Sequence, residues 1–533
     1  MDALMAGAVV RVLQGLLSAV PTFVVGLFIA AILRYYLRAD GTLRLFGGSG
    51  FRSLAQSWLV GMMLPVCSIG VIPIIRELKR MGLRPGAISA FALSAPLFNP
   101  LSLLYGLTLS RPYAIIGFAL GSLLVVTILG IAWDRWSGWI PAQVKQESTP
   151  VSLRRLGFVG LYMARELVGP SGLLAMVALL GLMLLAIMLP QGSLQSSVEQ
   201  DNNMAPLTMM LVALPVYATP MLTMSQLGMM FAHGNSPGAA FCLLLLGTGV
   251  NLATLFWMVQ NYTWRSTAIW FAFLLVVVVG CAYAVNKPLI PPGVEPAGHT
   301  HAFDIYTNPF SSGDTLGWGR AKTEIDKAIP ALQMAFALSI LTMLVAIGVF
   351  SRTLLREPTQ KFLEFVPELS SMQWEGMHRR VSPQALGLTL LSGLIAFSIV
   401  GCYAYYPAPE ETLEEMRIAR VNVLSGVSSR DYEQVLHHIP DLEHWSRLLE
   451  VGYFIRNFEL RPYQRMQGYL LRKKLELLEH ACEDMLSLGD YRSQSLPATF
   501  DPVAQMEEID ILRYEISQNS RRLSNAFQKS RRQ

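Results

Sequence analysis

The chain has 533 residues, of which 52% are hydrophobic and only 15% charged, against about 25% charged in ordinary soluble proteins. Together with long uncharged runs, this excludes an ordinary soluble enzyme and points to an integral membrane protein. The net charge of +5 is modest, and its basic residues lie between apolar runs. That is the pattern of anchors on the cytoplasmic membrane face, so no nucleic-acid partner is expected.

Met1 to Val10 has no basic segment, and the first apolar stretch, 12–33, is long and ends in Arg34, Arg38 and Arg44. It reads as a span and not as a cleaved signal. A spanning helix needs about 20 apolar residues. By that measure the candidates are 12–33, 86–109, 112–133, 170–190, 237–259, 266–285, 331–350 and 384–406. Two further apolar stretches, 54–75 and 206–232, are interrupted by Pro and Gly.

The two interrupted stretches look like copies. Pro65-Val-Cys-Ser-Ile-Gly-Val-Ile-Pro73 leads to Pro85-Gly-Ala and Asn99-Pro100, while Pro215-Val-Tyr-Ala-Thr-Pro220 leads to Pro237-Gly-Ala and Asn251. The reading is two repeats, 12–133 and 170–285, within a permease domain at 1–286. Paired broken hydrophobic segments in two halves of a membrane protein point to a transporter's binding site.

Charge gives the copies an orientation. Arg34, Arg38, Arg44 and Arg52 precede 54–75, and Arg76, Lys79, Arg80 and Arg84 follow it. Both ends of that segment are then cytoplasmic, which makes it a re-entrant hairpin. The flanks of 206–232, at 191–205 and 232–236, hold no Lys or Arg, so both its ends are outside. One hairpin dipping in from each face is what an inverted repeat requires. Such backbone is tolerated at membrane depth when it is buried in protein or lines a cavity. Ordinary kinked spans are the alternative.

Beyond the repeats, 287–330 reads as a polar loop and 331–406 as two additional transmembrane helices. From 407 to 533 the chain is a polar, helical extramembrane tail, with Leu470–Leu488 and Val503–Phe527 as helices. The tail is the candidate surface for a homo-oligomer or a partner protein. The fold class expected is therefore all-α and polytopic, with a re-entrant hairpin in each of two inverted repeats.

The chemistry lies in the repeats. Pro65, Pro73, Pro215 and Pro220 remove backbone donors, Ser68 and Thr219 supply hydroxyls, and Gly70 lets backbone approach closely. A helix N-terminus exposed there favours an anion or a polar solute. Asn99, followed by Pro100, and Asn251 are read as amides near the middle of full-length apolar helices. Each needs a partner, either a solute or the freed backbone of a hairpin. Cys67 is a soft metal ligand or a buried small apolar residue. His299, His301 and Asp304 form either a metal site or an ordinary polar loop. The five cysteines make no CxxC pair, no nucleotide-binding or hydrolase motif is present, and no cofactor is expected.

At Pro65–Pro73, Gly82-x-x-Pro-Gly-Ala and Phe91-Ala-Leu-Ser-Ala-Pro-Leu-Phe-Asn-Pro100 the chain resembles the predicted permease family that includes organoarsenical efflux permeases. Gly247-Thr-Gly-Val-Asn-Leu-Ala-Thr254 resembles that family's second half. The resemblance covers 12–285 and implies transporter architecture, with Pro65, Cys67, Ser68, Gly70, Pro73, Asn99 and Pro100 carried over. It departs at one position: the family's second motif cysteine is Ile69 here, so an arsenical cargo is not implied. The resulting expectation is a multi-pass plasma-membrane permease, possible in efflux mode, for a small solute bound midway between the hairpins. A tail-driven assembly or sensor protein and a channel are the alternatives.

Overall fold

The computed structural model describes residues 3–47, 50–109, 112–137, 154–190, 193–194, 197–290, 300, 302–310, 318–329, 331–354, 382–490 and 501–528. Among these the chain is helical apart from turns and one isolated bridge, Glu199 to Asn235. It divides into two compact units, Met1–Ser398 and Ile399–Gln533.

In the first unit, α1 (Ala3–Ile32) runs into a π-helical turn, Leu33–Leu37, and α2 (Arg38–Phe46). Next come α3 (Phe51–Met63), α4 (Val71–Arg80), α5 (Pro85–Ser94), α6 (Pro100–Thr108) and α7 (Pro112–Trp136). The amphipathic α8 (Arg154–Leu167) leads to α9 (Pro170–Met188). The series then recurs as α10 (Ala205–Ala213), α11 (Pro220–Ala232), α12 (Pro237–Cys242, continuing as a π-helix through Leu243–Thr248), α13 (Leu252–Asn261) and α14 (Trp264–Asn286). Each series reads short helix, break, short helix, short helix, break, short helix, long helix. The packing recurs too: α3 lies on α5 and α5 on α7, as α10 lies on α12 and α12 on α14.

Two of the expected continuous spans are broken. The stretch 86–109 is α5 and α6 with a non-helical turn at Ala95–Asn99, and 237–259 is α12 and α13, bent by 54°. The cause is local. Pro100 cannot donate to the preceding turn, and Asn99 and Asn251 stand in extended backbone (φ −137° in both). Among the described residues six helices are long and apolar enough to cross a membrane, or seven with the bent pair taken as one. Their outward faces carry exposed apolar side chains such as Leu173, Val276, Leu332 and Phe397, as a lipid-facing surface does. The protein is a multi-pass membrane protein.

The stretch 287–330 is more than a loop. It contains a 3-10 turn at Asp304–Tyr306 and α15 (Trp318–Ala328), and Phe310, Ile325 and Ile329 pack on Ala6, Val10, Leu17 and Val20 of α1. His299 and His301 lie outside the described residues. The two later spans are α16 (Ala331–Leu354) and α17 (Pro383–Tyr405).

The second unit holds α18 (Pro409–Ser429), α19 (Tyr432–Asn457), α20 (Pro462–Asp490) and α21 (Pro502–Gln528). Each packs on the next and α18 closes on α21, giving a four-helix bundle. Val423, Val435, Leu442, Leu475, Leu478, Ile516 and Leu523 form its core. Glu450 is buried and bonded by Arg472 at 2.9 Å. Burial, with Glu479 and Glu483 nearby, pushes the Cys482 thiol up to about 12, so it stays protonated and unreactive at neutral pH. Two of these helices, α18 and α19, are not apparent from sequence periodicity. Pro440 inside α19 obscures its pattern.

Leu475 is fully buried in this core. Leu475→Ala should destabilise the bundle by about 2–5 kcal/mol. Hydrogen exchange by mass spectrometry should show faster exchange through α18–α21 with α1–α7 unchanged.

Candidate functional site

The site is assembled from the four interruptions in the two helix series, at 64–70, 95–99, 214–219 and 249–251. An interruption in an apolar layer exposes backbone groups that water cannot satisfy, and local side chains satisfy many of them. Asn99 caps α6: its Oδ1 accepts from Ser102 N at 2.7 Å, while its own N–H donates to Ser102 Oγ at 3.0 Å. Asn251 caps α13, with Oδ1 accepting from Thr254 N at 2.8 Å and from the Thr254 hydroxyl at 3.1 Å. These bonds fix which end of each amide is oxygen. Thr219 caps α11 by accepting from Leu222 N at 3.3 Å. Cys67, fully buried, accepts from Gly70 N at 3.4 Å ahead of α4.

The prolines take positions that cost no hydrogen bond. Pro100 and Pro220 begin α6 and α11, and Pro73 lies in the first turn of α4, where an N–H has no intrahelical partner. Pro65 and Pro215 stand inside the breaks themselves. Among the described residues no hydrogen bond joins either asparagine side chain to the backbone at 64–70 or 214–219; each amide oxygen caps its own helix.

Tight packing brings the interruptions together. A Cβ on Gly26 of α1 would overlap the Gly70 carbonyl, and one on Gly181 of α9 would overlap the Pro215 carbonyl. Only glycine permits those approaches. Gly249 packs on the Leu93 carbonyl and Leu97, Gly247 on Val216, and Gly61 on Ser94 and Ala95. The Tyr217 hydroxyl lies beside the Cys67 thiol without a hydrogen bond of ordinary geometry. Cys67 and Tyr217 are 150 positions apart, the same offset as Pro65 and Pro215, so equivalent residues of the two copies meet.

The interruptions hold no Lys, Arg, Asp or Glu. What they hold is buried polar atoms. Ser68 Oγ, Tyr217 OH and Asn251 Nδ2 have no hydrogen-bond partner among the described residues, and each residue is at most 2% exposed. Leaving such a group unmade costs about 1–3 kcal/mol. The arrangement can take hydrogen bonds from or give them to a small polar solute. Among the described residues no group of three His, Cys, Asp or Glu could hold a metal ion.

Charge collects at the helix ends instead. Glu77, at the end of α4, accepts from the Tyr162 hydroxyl of α8 at 2.8 Å and pairs with Arg34 at 3.4 Å and Arg80 at 3.1 Å. Lys79 donates to the Asn261 carbonyl at 2.7 Å. Asp134 at the end of α7 accepts from Gly86 N at 2.7 Å, and Asn286 at the end of α14 accepts from Gly238 N at 3.0 Å. Both partners in that last pair are displaced by 152 positions, matching Asn99 and Asn251. Tyr217, Glu77, Asp134 and Asn286 escape a motif reading. Extending the repeat offset would have found Asp134 and Asn286. Glu77 is marked only as a lone acid in a basic stretch.

Residues 6–137 match the family model described as predicted permease (ArsP_1). A curated relative, the UPF0718 protein YcgR of Bacillus subtilis (strain 168), is 31% identical over 88 residues, 16% of this chain and 30% of the relative. The match thus spans under a third of that protein. No solved structure matches. Over its first seven helices, Cys67, Asn99 and their interruptions included, the chain is similar to the predicted permease family.

Proposed function

We propose that this chain is a secondary transporter of the plasma membrane that moves a small polar solute through a site between the interruptions at 64–70 and 214–219. The observation that carries the reading is the meeting of Cys67 with Tyr217, equivalent residues of two helix series. Equivalent residues meet where a two-fold axis passes, and in transporters built of repeats the solute site lies at that interface. The match of residues 6–137 to a predicted permease family supports it independently. Ser68, Tyr217 and Asn251 are the solute-binding groups, while Cys67, Gly70, Pro65, Pro73, Asn99, Pro100, Pro215, Thr219 and Pro220 shape the broken helices that present them.

The two series are inverted with respect to the membrane in this reading. In support, Glu77 at the end of α4 bridges Arg34, just past α1, and Tyr162 of α8, so these segments share one face in the proposed topology. That is the basic, cytoplasmic face, while the flanks of α10 and α11 carry no Lys or Arg.

Asn251→Ser retains a good helix cap and deletes the amide nitrogen, separating capping from binding. Flux of small polar solutes in vesicles should fall about tenfold, the scale of one or two lost hydrogen bonds, with folded protein unchanged. Wild-type flux in this variant would remove Asn251 from the site. For the topology, Arg44→Cys and Arg84→Cys should react with an impermeant thiol reagent from one face and Asp201→Cys from the other. Labelling of positions 44 and 84 from opposite faces would eliminate the first hairpin.

A further inference from the structure

Residues 302–310 belong to neither helix series and lie outside the family-matched region. They nonetheless bond to the N-terminal third of α1 and to the C-terminal end of α9. Arg11, one-third of the way along α1, is only 9% exposed. Its guanidinium donates through Nε to the Thr307 carbonyl at 2.8 Å, through Nη2 to the Asp304 carbonyl at 2.6 Å, and through Nη1 to Gln14 at 2.9 Å. Asn308 Nδ2 donates to the carbonyls of Leu4 at 3.1 Å and Ala186 at 3.2 Å, and Asn308 N donates to the Leu189 carbonyl at 3.0 Å.

The contact reaches into the second hairpin. Gln226 of α11, 2% exposed, donates to the Ala302 carbonyl at 2.9 Å and accepts from the Tyr306 hydroxyl at 2.9 Å. Tyr306 is itself 1% exposed. Gln226 lies six residues beyond Pro220, about 9 Å along the helix from the interruption.

We infer that residues 302–310 are a strap that closes the solute site on the face opposite the basic loops, and that solute passes on that side only when the strap lifts. This rests on the reading of the interruptions as the solute site. A buried arginine in an apolar helix is costly unless its donors are met. Two of the three Arg11 bonds end on strap carbonyls, so lifting the strap requires water to replace them. Strap opening and hydration of the mouth are therefore one event. Gln226 carries that event to α11, because the same side chain that holds Ala302 and Tyr306 is fixed to the helix that Thr219 caps.

The test reads access to Cys67 and needs no solute. Cys242, Cys281, Cys402 and Cys482 are replaced by Ala, and a membrane-impermeant cationic methanethiosulfonate is added from the face that labels Asp201→Cys. Modification of Cys67 is quantified by peptide mass spectrometry. Tyr306→Phe with Asn308→Ala, which loosens the strap, should speed labelling about tenfold. A second variant pairs Gly7→Cys with Asn308→Cys, since a Cβ on Gly7 would already overlap Asn308. Its oxidised form should label Cys67 about tenfold more slowly than its reduced form. Equal labelling of loosened and parent proteins, or of oxidised and reduced forms, overturns the strap. The tethered pair compares two states of one folded protein and stands even if the loosened variant misfolds. Vesicle flux tests the transporter reading separately, so either can fail without the other.

Discussion

The structure depends on one constraint: a helix broken inside an apolar layer must satisfy its own backbone. Water is absent there, and each unmet N–H or C=O costs several kcal/mol. This chain breaks its helices at four places and mends many of the exposed groups locally. Asn99, Thr219 and Asn251 cap the helices that restart, and Cys67 accepts an N–H before α4. Prolines occupy first-turn positions where no donor is wanted. The breaks therefore persist as built features, and what is left unmatched, Ser68 Oγ, Tyr217 OH and Asn251 Nδ2, marks where a ligand could be recognised.

Packing then places the breaks beside one another. Gly26 and Gly181 let α1 and α9 press directly on the carbonyls of Gly70 and Pro215. The long helices thereby act as walls against which the two breaks are packed. The helix ends are tied by stronger, charged or amide-mediated bonds, Glu77 to Arg34 and Tyr162, Asp134 to Gly86, Asn286 to Gly238. Strong ties at these helix ends contrast with neutral, partly unmet groups at the breaks.

Much of this was legible in the sequence because the Pro and Gly punctuation of the breaks is local. The two copies, their Pro-Gly helix starts and the basic flanks can be read without coordinates. The placement of Asn99 and Asn251 in mid-helix was wrong for a physical reason. A polar residue in an apolar run looks the same whether it interrupts a helix or decorates one. The distinguishing marks were Pro100 directly after Asn99, and Ser102 and Thr254 three residues beyond each Asn, the spacing of a cap. Contacts between distant segments carry no such mark. Nothing near Arg11 announces Asp304 and Thr307, and nothing near Glu77 announces Tyr162. The α18 and α19 helices were missed because a bundle core needs only a sparse apolar stripe, which Pro440 further interrupts.

A neutral centre also bears on how such a protein discriminates. With no ionised side chain at the breaks, recognition falls to hydroxyls, an amide and helix ends, whose fields are directional and short in range. If the breaks form the proposed site, it selects solutes by shape and hydrogen-bond pattern. The charges at the rims serve a different purpose: an ion pair in partly excluded solvent holds only while its geometry is kept. Loosening these ties exposes Glu77 or Arg11, and each then requires water in place of its partner. In the proposed transporter, hydration at one of these places with dryness at the other is what alternating access to a central site demands.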